Sequence, residues 1–178
     1  MKTLHLLLLT KKVRIGLALI LVLFTLAIYL KLNYVAIVNG HLIQRSSYQN
    51  KLTQTNNFYG FSKQDSSLTA PVKNDTVDGL VDEQLVEKYA KDHKITVTDE
   101  AVLSQYRVVV KAYNIRNNIK EDDSQFLAKI KEMYGQSKND YLEVVRMDIL
   151  KEKVQGAVKM PLAQWLEKQK KTGTIQKF

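Results

Sequence analysis

The chain has 178 residues and carries 27 Lys and Arg against 18 Asp and Glu, a formal net charge of +9 at pH 7. It contains no cysteine, which excludes disulfides, thiol catalysis and cysteine-ligated metals. The basic balance does not indicate nucleic-acid binding, because five basic residues and no acidic ones fall within residues 1–32, leaving 22 against 18 in the remainder.

The first predicted element is a membrane-spanning helix. Ile15 to Leu30 contains no charged residue and is preceded by Lys11, Lys12 and Arg14. About 20 apolar residues cross the hydrocarbon core of a bilayer, so residues 13–32 are predicted to span it. The alternative is a cleaved signal peptide, which has a shorter apolar region and a small-x-small cleavage site. Bulky residues surround Ala36, and the sequence favours an uncleaved anchor.

The charges around this helix predict its orientation. Four basic residues and no acidic ones precede it. The positive-inside rule therefore predicts that residues 1–12 are cytoplasmic and residues 33–178 extracytoplasmic, in a single-pass protein of the cell membrane. The outer part is long enough for one domain with its own core.

A β-hairpin is predicted directly after the anchor. Tyr34–Val38 alternates and is rich in β-branched residues, and Asn39-Gly40 is the strongest short hairpin signal. His41–Ile43 is the returning strand. Ser46 or Ser47 is expected to cap a helix that runs to about Asn56.

Residues 57–75 are predicted to form a long loop because Gly, Ser and Pro recur there. The loop opens with an aromatic group, Phe58, Tyr59 and Phe61. Two interpretations stay open for these rings: they fold back over the core, or they present an exposed apolar contact to a binding partner or to the lipid surface.

Helices with one apolar face fill most of the remaining chain. Their predicted starts are Asp75 or Thr76, Thr98, Asp122 or Asp123, Ser137, and Pro161. A terminal strand is predicted over Thr174–Phe178. The fold class is therefore mainly α: one N-terminal transmembrane helix, then about six helices with a small β-hairpin and a C-terminal strand.

No catalytic or metal-binding pattern emerges. His5, His41 and His93 lack the spacing of metal ligands, and the acidic runs fall at helix starts or on exposed faces. We expect no metal, no cofactor and no catalytic residues. Tyr106, Tyr113 and Tyr141 lie on apolar stripes, where they either pack in the core or line a groove.

Several segments, in order along the chain, resemble one family. Val35–Ile43 is similar to a "VAxVNGxxI" strand pair, Leu80–Ala90 to an "LIDxxLLxxxA" helix, and Ile95–Val102 to "ITVTDEEV". Tyr134-Gly135 and Leu162–Phe178 are similar to the family's later elements. Residues 34–178 thus resemble the chaperone domain of SurA/PrsA-type periplasmic foldases, related in fold to the peptide-binding arm of trigger factor.

The sequence departs from this family at one place. Family members often carry a parvulin prolyl-isomerase domain between the long helix and the closing helix, whereas here Val158-Lys159-Met160 leads directly to Pro161. The resemblance therefore implies a SurA N-like chaperone domain without the isomerase, and we expect no enzymatic activity.

The resemblance implies a membrane-anchored, ATP-independent chaperone whose partners are unfolded or exported polypeptides, with no nucleic-acid partner. The alternative is a structural or assembly partner of one specific envelope protein. The candidate residues for contact with such polypeptides are the aromatic ones: Phe58, Tyr59, Phe61, Tyr106, Tyr113 and Tyr141.

Overall fold

A computed structural model describes residues 11–62, 70–120 and 122–178. The described residues are mainly helical with one small sheet, which confirms the predicted fold class. In chain order the elements are α1 (Lys11–Asn33), β1 (Tyr34–Val38), β2 (His41–Gln44), α2 (Arg45–Phe61), α3 (Ala70–Asp92), α4 (Asp99–Asn117), α5 (Ser124–Tyr134), α6 (Lys138–Val158), α7 (Leu162–Thr172) and β3 (Ile175–Lys177).

Helix α1 contains the predicted membrane span. Its segment Ile15–Asn33 has a mean hydropathy of 2.5 and is not buried by the rest of the chain. This length and composition suffice to cross a bilayer and are typical of a membrane anchor or of a signal sequence.

The predicted hairpin is confirmed, and its turn shows why Asn39-Gly40 is needed. Both residues have positive φ, 49° and 84°, as a type I′ turn requires. Val38 then pairs with His41 in an antiparallel ladder.

The predicted terminal strand is also confirmed. β3 pairs antiparallel with the other edge of β1, giving the strand order β2-β1-β3. Asn39 joins the hairpin turn to the residue before β3. Its backbone N–H donates to the Thr174 carbonyl at 2.8 Å, and its side-chain Oδ1 accepts from the Thr174 N–H at 3.0 Å. The strand that leaves α1 is therefore the centre of the sheet.

Arg45 joins α1 to the domain. Its guanidinium donates to the carbonyls of Lys31 at 2.6 Å, Leu32 at 3.0 Å and Tyr34 at 3.2 Å. The last carbonyls of a helix lack partners within it, and a cation there is favoured by the helix dipole. Arg45, the first residue of α2, therefore caps the C-terminal end of α1.

The predicted loop over residues 57–75 is wrong in both of its described parts. Helix α2 continues to Phe61, and α3 already begins at Ala70. Pro71 suits this start because the first helical turn needs no backbone donor. Thr76, predicted as a cap, lies within α3 and donates to the Val72 carbonyl at 2.8 Å. The rest of the predicted loop, residues 63–69, lies outside the described residues.

The cap of α2 also differs from prediction. Gln44, not Ser46 or Ser47, precedes α2, and it makes no side-chain capping bond. At α5 the predicted pair is confirmed: Asp123 directly precedes the helix, and the Asp122 side chain accepts a hydrogen bond from the Ser124 N–H at 2.9 Å.

The remaining predicted caps are confirmed. Thr98 accepts from the Ala101 N–H at 3.2 Å, and Ser137 forms a reciprocal capping box with Asp140. Gly135 ends α5 with a φ of 70°. These caps fix where α4, α5 and α6 begin or end.

The main core lies between the sheet and helices α3, α6 and α7. Its buried members include Val35, Val38, Val81, Val86, Val154 and Trp165. The Trp165 ring meets the Tyr89 ring edge-on, with the ring centroids 5.1 Å apart. The return of α7 and β3 onto the sheet therefore completes this core.

Candidate functional site

A second, aromatic core lies between α4, α5 and α6 and contains three of the predicted contact residues. The Phe126 ring lies edge-to-face against three tyrosine rings. The distances between ring centroids are 5.4 Å to Tyr113, 5.2 Å to Tyr141 and 6.0 Å to Tyr106. Such pairs stabilise beyond the area they bury. Tyr106 is only 4% exposed, and Tyr113 and Tyr141 are half-buried, so these rings mainly hold the three helices together.

The other three predicted residues lie on α2 rather than in a loop. The Phe58 ring stacks parallel to the Tyr134 ring of α5, with centroids 5.5 Å apart. The Lys129 ammonium lies 4.1 Å from the Phe61 ring centroid. Phe58, Tyr59 and Phe61 are all half-buried, and Phe58 and Phe61 contact α5. The structure thus divides the six candidates between two sets of contacts, both of which include α5.

Tyr106 also reaches a cleft on the outer side of the aromatic core. Its hydroxyl donates to Asp123 Oδ2 at 2.8 Å, and the Lys138 ammonium lies 2.6 Å from the same oxygen. The hydrogen bonds from Lys138 and Tyr106 lower the pKa of the Asp123 carboxyl. Burial, with the hydrogen bond to Asp123, raises the pKa of Tyr106. These three side chains tie α4 to the starts of α5 and α6.

The cleft has a volume of about 430 Å³ and runs along α4. It is lined by Leu103, Tyr106, Arg107, Val110, Lys111, Asn114, Asp122, Asp123 and Lys138. Its walls combine apolar side chains with the charged ends of Lys and Arg. We call it the α4 cleft.

Asn114 is the unusual member of the α4 cleft, because it is only 4% exposed. Its Nδ2 donates to the Asp122 carbonyl at 3.1 Å. Its Oδ1 is buried and accepts no hydrogen bond from any of the described residues. A buried acceptor without a donor costs about 1–3 kcal/mol, which a ligand N–H would recover.

The outer face of α4 exposes apolar side chains beside this cleft. Val108 is 59% exposed and Ile115 is 72% exposed. They are seven residues apart and therefore share one face of the helix. Arg107 and Lys111 lie on the intervening surface. We call Val108, Ile115 and the α4 cleft together the α4 surface.

Sequence reasoning missed this surface because it described α4 only by its one apolar face and gave no role to Val108 or Ile115, which lie outside that face. The signal is Val108-Val109-Val110: three consecutive residues of a helix span about 200° and cannot all face one core. Val110 is buried, whereas Val108 points away from the domain.

The described fold is that of a helical domain built on a small three-stranded sheet and joined to an apolar N-terminal helix. A model of the family described as the SurA-like N-terminal domain matches residues 8–129, more than half of the chain. The chain therefore belongs to this family, which is of chaperone type. No curated protein matches it.

The match begins before α1 and ends within α5. It thus includes the hairpin, α2, α3 and α4, which carries the α4 surface. Helices α6 and α7 and strand β3 lie beyond the match, and the structure alone shows that they complete the same core and sheet.

We expect replacement of Asp123 by Asn to lower the free energy of unfolding at pH 7. The lowered pKa of Asp123 means that its charged form stabilises the folded state above the unfolded value of about 3.9. This contribution disappears as the pH falls through the lowered folded pKa. The difference between wild type and variant, measured by urea unfolding in detergent, should therefore shrink below about pH 4.

The matched control is Glu152→Gln on α6, an exposed carboxylate without an ion pair among the described residues. It should leave stability nearly unchanged at both pH values. An Asp123→Asn variant as stable as wild type at pH 7 would contradict the role given to this carboxylate.

Proposed function

We propose that the protein is a membrane-anchored chaperone that binds unfolded, exported polypeptides without ATP. The observation that carries this proposal is the α4 surface: exposed Val108 and Ile115 lie beside a cleft whose buried acceptor, Asn114 Oδ1, has no donor among the described residues. Membership of a chaperone-type family supports it.

The chemistry of the α4 surface suits an unfolded chain. Such a chain offers apolar side chains together with backbone N–H groups that are bonded to water and not to other protein groups. The apolar groups would contact Val108 and Ile115, and an N–H would donate to Asn114 Oδ1 after a small opening of the α4 cleft. The stems of Arg107 and Lys111 add further apolar area while their charges stay in water.

The size of this surface favours weak and reversible binding. Burying one Val or Ile side chain contributes about 1.5–3 kcal/mol, from which the ordering of both chains is subtracted. Two such residues give an affinity low enough for spontaneous release, so that no nucleotide is needed. Attachment to the membrane compensates by raising the local concentration of the site.

Holding, rather than catalysis, is the proposed activity. Helix α6 ends at Val158, and only Lys159, Met160 and Pro161 separate it from α7. This connection has no room for an inserted parvulin domain, so we propose that the chain binds prolyl segments without isomerising them.

We expect full-length protein in nanodiscs to suppress aggregation of several unrelated unfolded polypeptides. The double variant Val108→Ser, Ile115→Ser should require several-fold more protein for equal suppression, because its contact surface is polar. Light scattering measures the effect, and circular dichroism verifies that the variant keeps its helices. Met160→Ser, an exposed apolar residue outside the α4 surface, is the control and should protect like wild type.

Two outcomes would count against the proposal. If the double variant suppressed aggregation as well as wild type, the α4 surface would not be the site that binds unfolded polypeptides. Protection of one client only, saturating at one protein per client, would instead favour an assembly partner of a single envelope protein.

The proposed orientation places the domain outside the cytoplasm, since the residues before the span carry only positive charge. Protease added to intact, wall-stripped cells should therefore remove a tag placed after Phe178. A cytoplasmic marker protein controls for cell integrity. If the tag were fully protected in intact cells and digested only after lysis, the domain would lie in the cytoplasm, opposite to the proposed orientation.

A further inference from the structure

A second groove, in which acidic residues outnumber basic ones, lies between α2, α3 and α6, away from the α4 surface. It has a volume of about 370 Å³ and carries five carboxylates against two ammonium groups. We call it the acidic groove; its lining residues include Lys51, Glu83, Glu87, Gln136, Asp140, Glu143, Asp148 and Lys151.

The two lysines of the acidic groove neutralise the same carboxylate. The Lys51 ammonium lies 2.9 Å from Glu83 Oε1, and the Lys151 ammonium lies 4.0 Å from it. Glu87 and Asp148 form no ion pair with any described residue. Burial and the neighbouring charge of Glu83 raise the pKa of the Glu87 carboxyl, as expected for a charge that lacks a counterion.

Gln136 supplies an independent sign of a ligand. It lines the acidic groove and is only 8% exposed. Its side-chain amide makes no hydrogen bond with the residues in the described ranges. An amide both donates and accepts, so a backbone peptide group is a matching partner for it.

The shape of the groove fits an extended chain. Its wall on α6 runs from Asp140 to Lys151, about 16 Å at 1.5 Å per residue. This length accommodates about five residues of extended polypeptide. A neighbouring cleft of about 550 Å³ shares Lys51, Glu83 and Glu87 and continues toward Gln44.

The arrangement does not suit a metal ion. Within residues 11–62, 70–120 and 122–178, no three His, Asp or Glu side chains converge closely enough to hold one. The carboxylates are instead spaced along the groove. The cationic side chains of an extended basic peptide are spaced along the peptide in a similar way.

We propose that the acidic groove binds an extended polypeptide segment rich in Lys and Arg. The cationic side chains pair with Glu87 and Asp148, and a backbone peptide group pairs with the Gln136 amide. The groove thereby adds a charge-selective site to the apolar contacts of the α4 surface.

The test uses full-length protein in nanodiscs of zwitterionic phosphatidylcholine and a labelled ten-residue peptide of alternating Lys and Ala. We expect binding by fluorescence anisotropy, weakening as salt rises, and none to the peptide with Gln in place of Lys. The variant Glu87→Gln, Asp148→Asn should bind about three- to tenfold more weakly, as expected for the loss of two partly exposed ion pairs.

The control variant Glu100→Gln, Glu152→Gln changes the net charge equally outside the groove and should bind like wild type. Val108→Ser, Ile115→Ser should also bind the Lys peptide like wild type, which separates this site from the α4 surface. Equal weakening by the two charge variants, or equal binding of the Gln peptide, would overturn the proposal. So would calorimetric binding of Ca²⁺ or Mg²⁺ that the groove variant alone abolishes.

Discussion

The pairing of β3 with β1 is the interaction on which the rest of the domain depends. β1 begins where α1 ends, and β3 lies at the far end of the described chain. Their ladder brings α7 and its Trp165 onto α3 and the sheet, and so closes the main core. Because Arg45 also caps α1, hydrogen bonds connect the folded domain to that helix.

The two cores have different consequences for binding. The main core is mostly aliphatic and packs against the sheet, whereas the aromatic core holds α4 against α5 and α6. Tyr106, Asp123 and Lys138 close one side of that contact. These contacts hold α4 in position without covering Val108 or Ile115, which stay exposed.

Local signals in the sequence predicted most of the fold. Some residue types are recognisable in the sequence because few others suit the backbone there. Positive φ is adopted by Asn39, Gly40 and Gly135, and side-chain caps are formed by Thr98 and Ser137. The prediction of a loop over residues 57–75 was wrong because Gly, Ser and Pro also occur within helices that tertiary contacts stabilise. In α2 such a contact is the stacking of the Phe58 ring on the Tyr134 ring. The α4 cleft, the acidic groove and the Arg45 cap join residues distant in sequence, and no local pattern encodes them.

Site-specific photocrosslinking tests the central claim, that polypeptides bind on the outer face of α4. A photoreactive side chain at Ile115 in the full-length protein should crosslink to an unfolded polypeptide added to nanodiscs. The same group at Gln155, exposed on α6 outside the α4 surface, should not. Equal crosslinking from both positions, or crosslinking from Gln155 alone, would contradict the account.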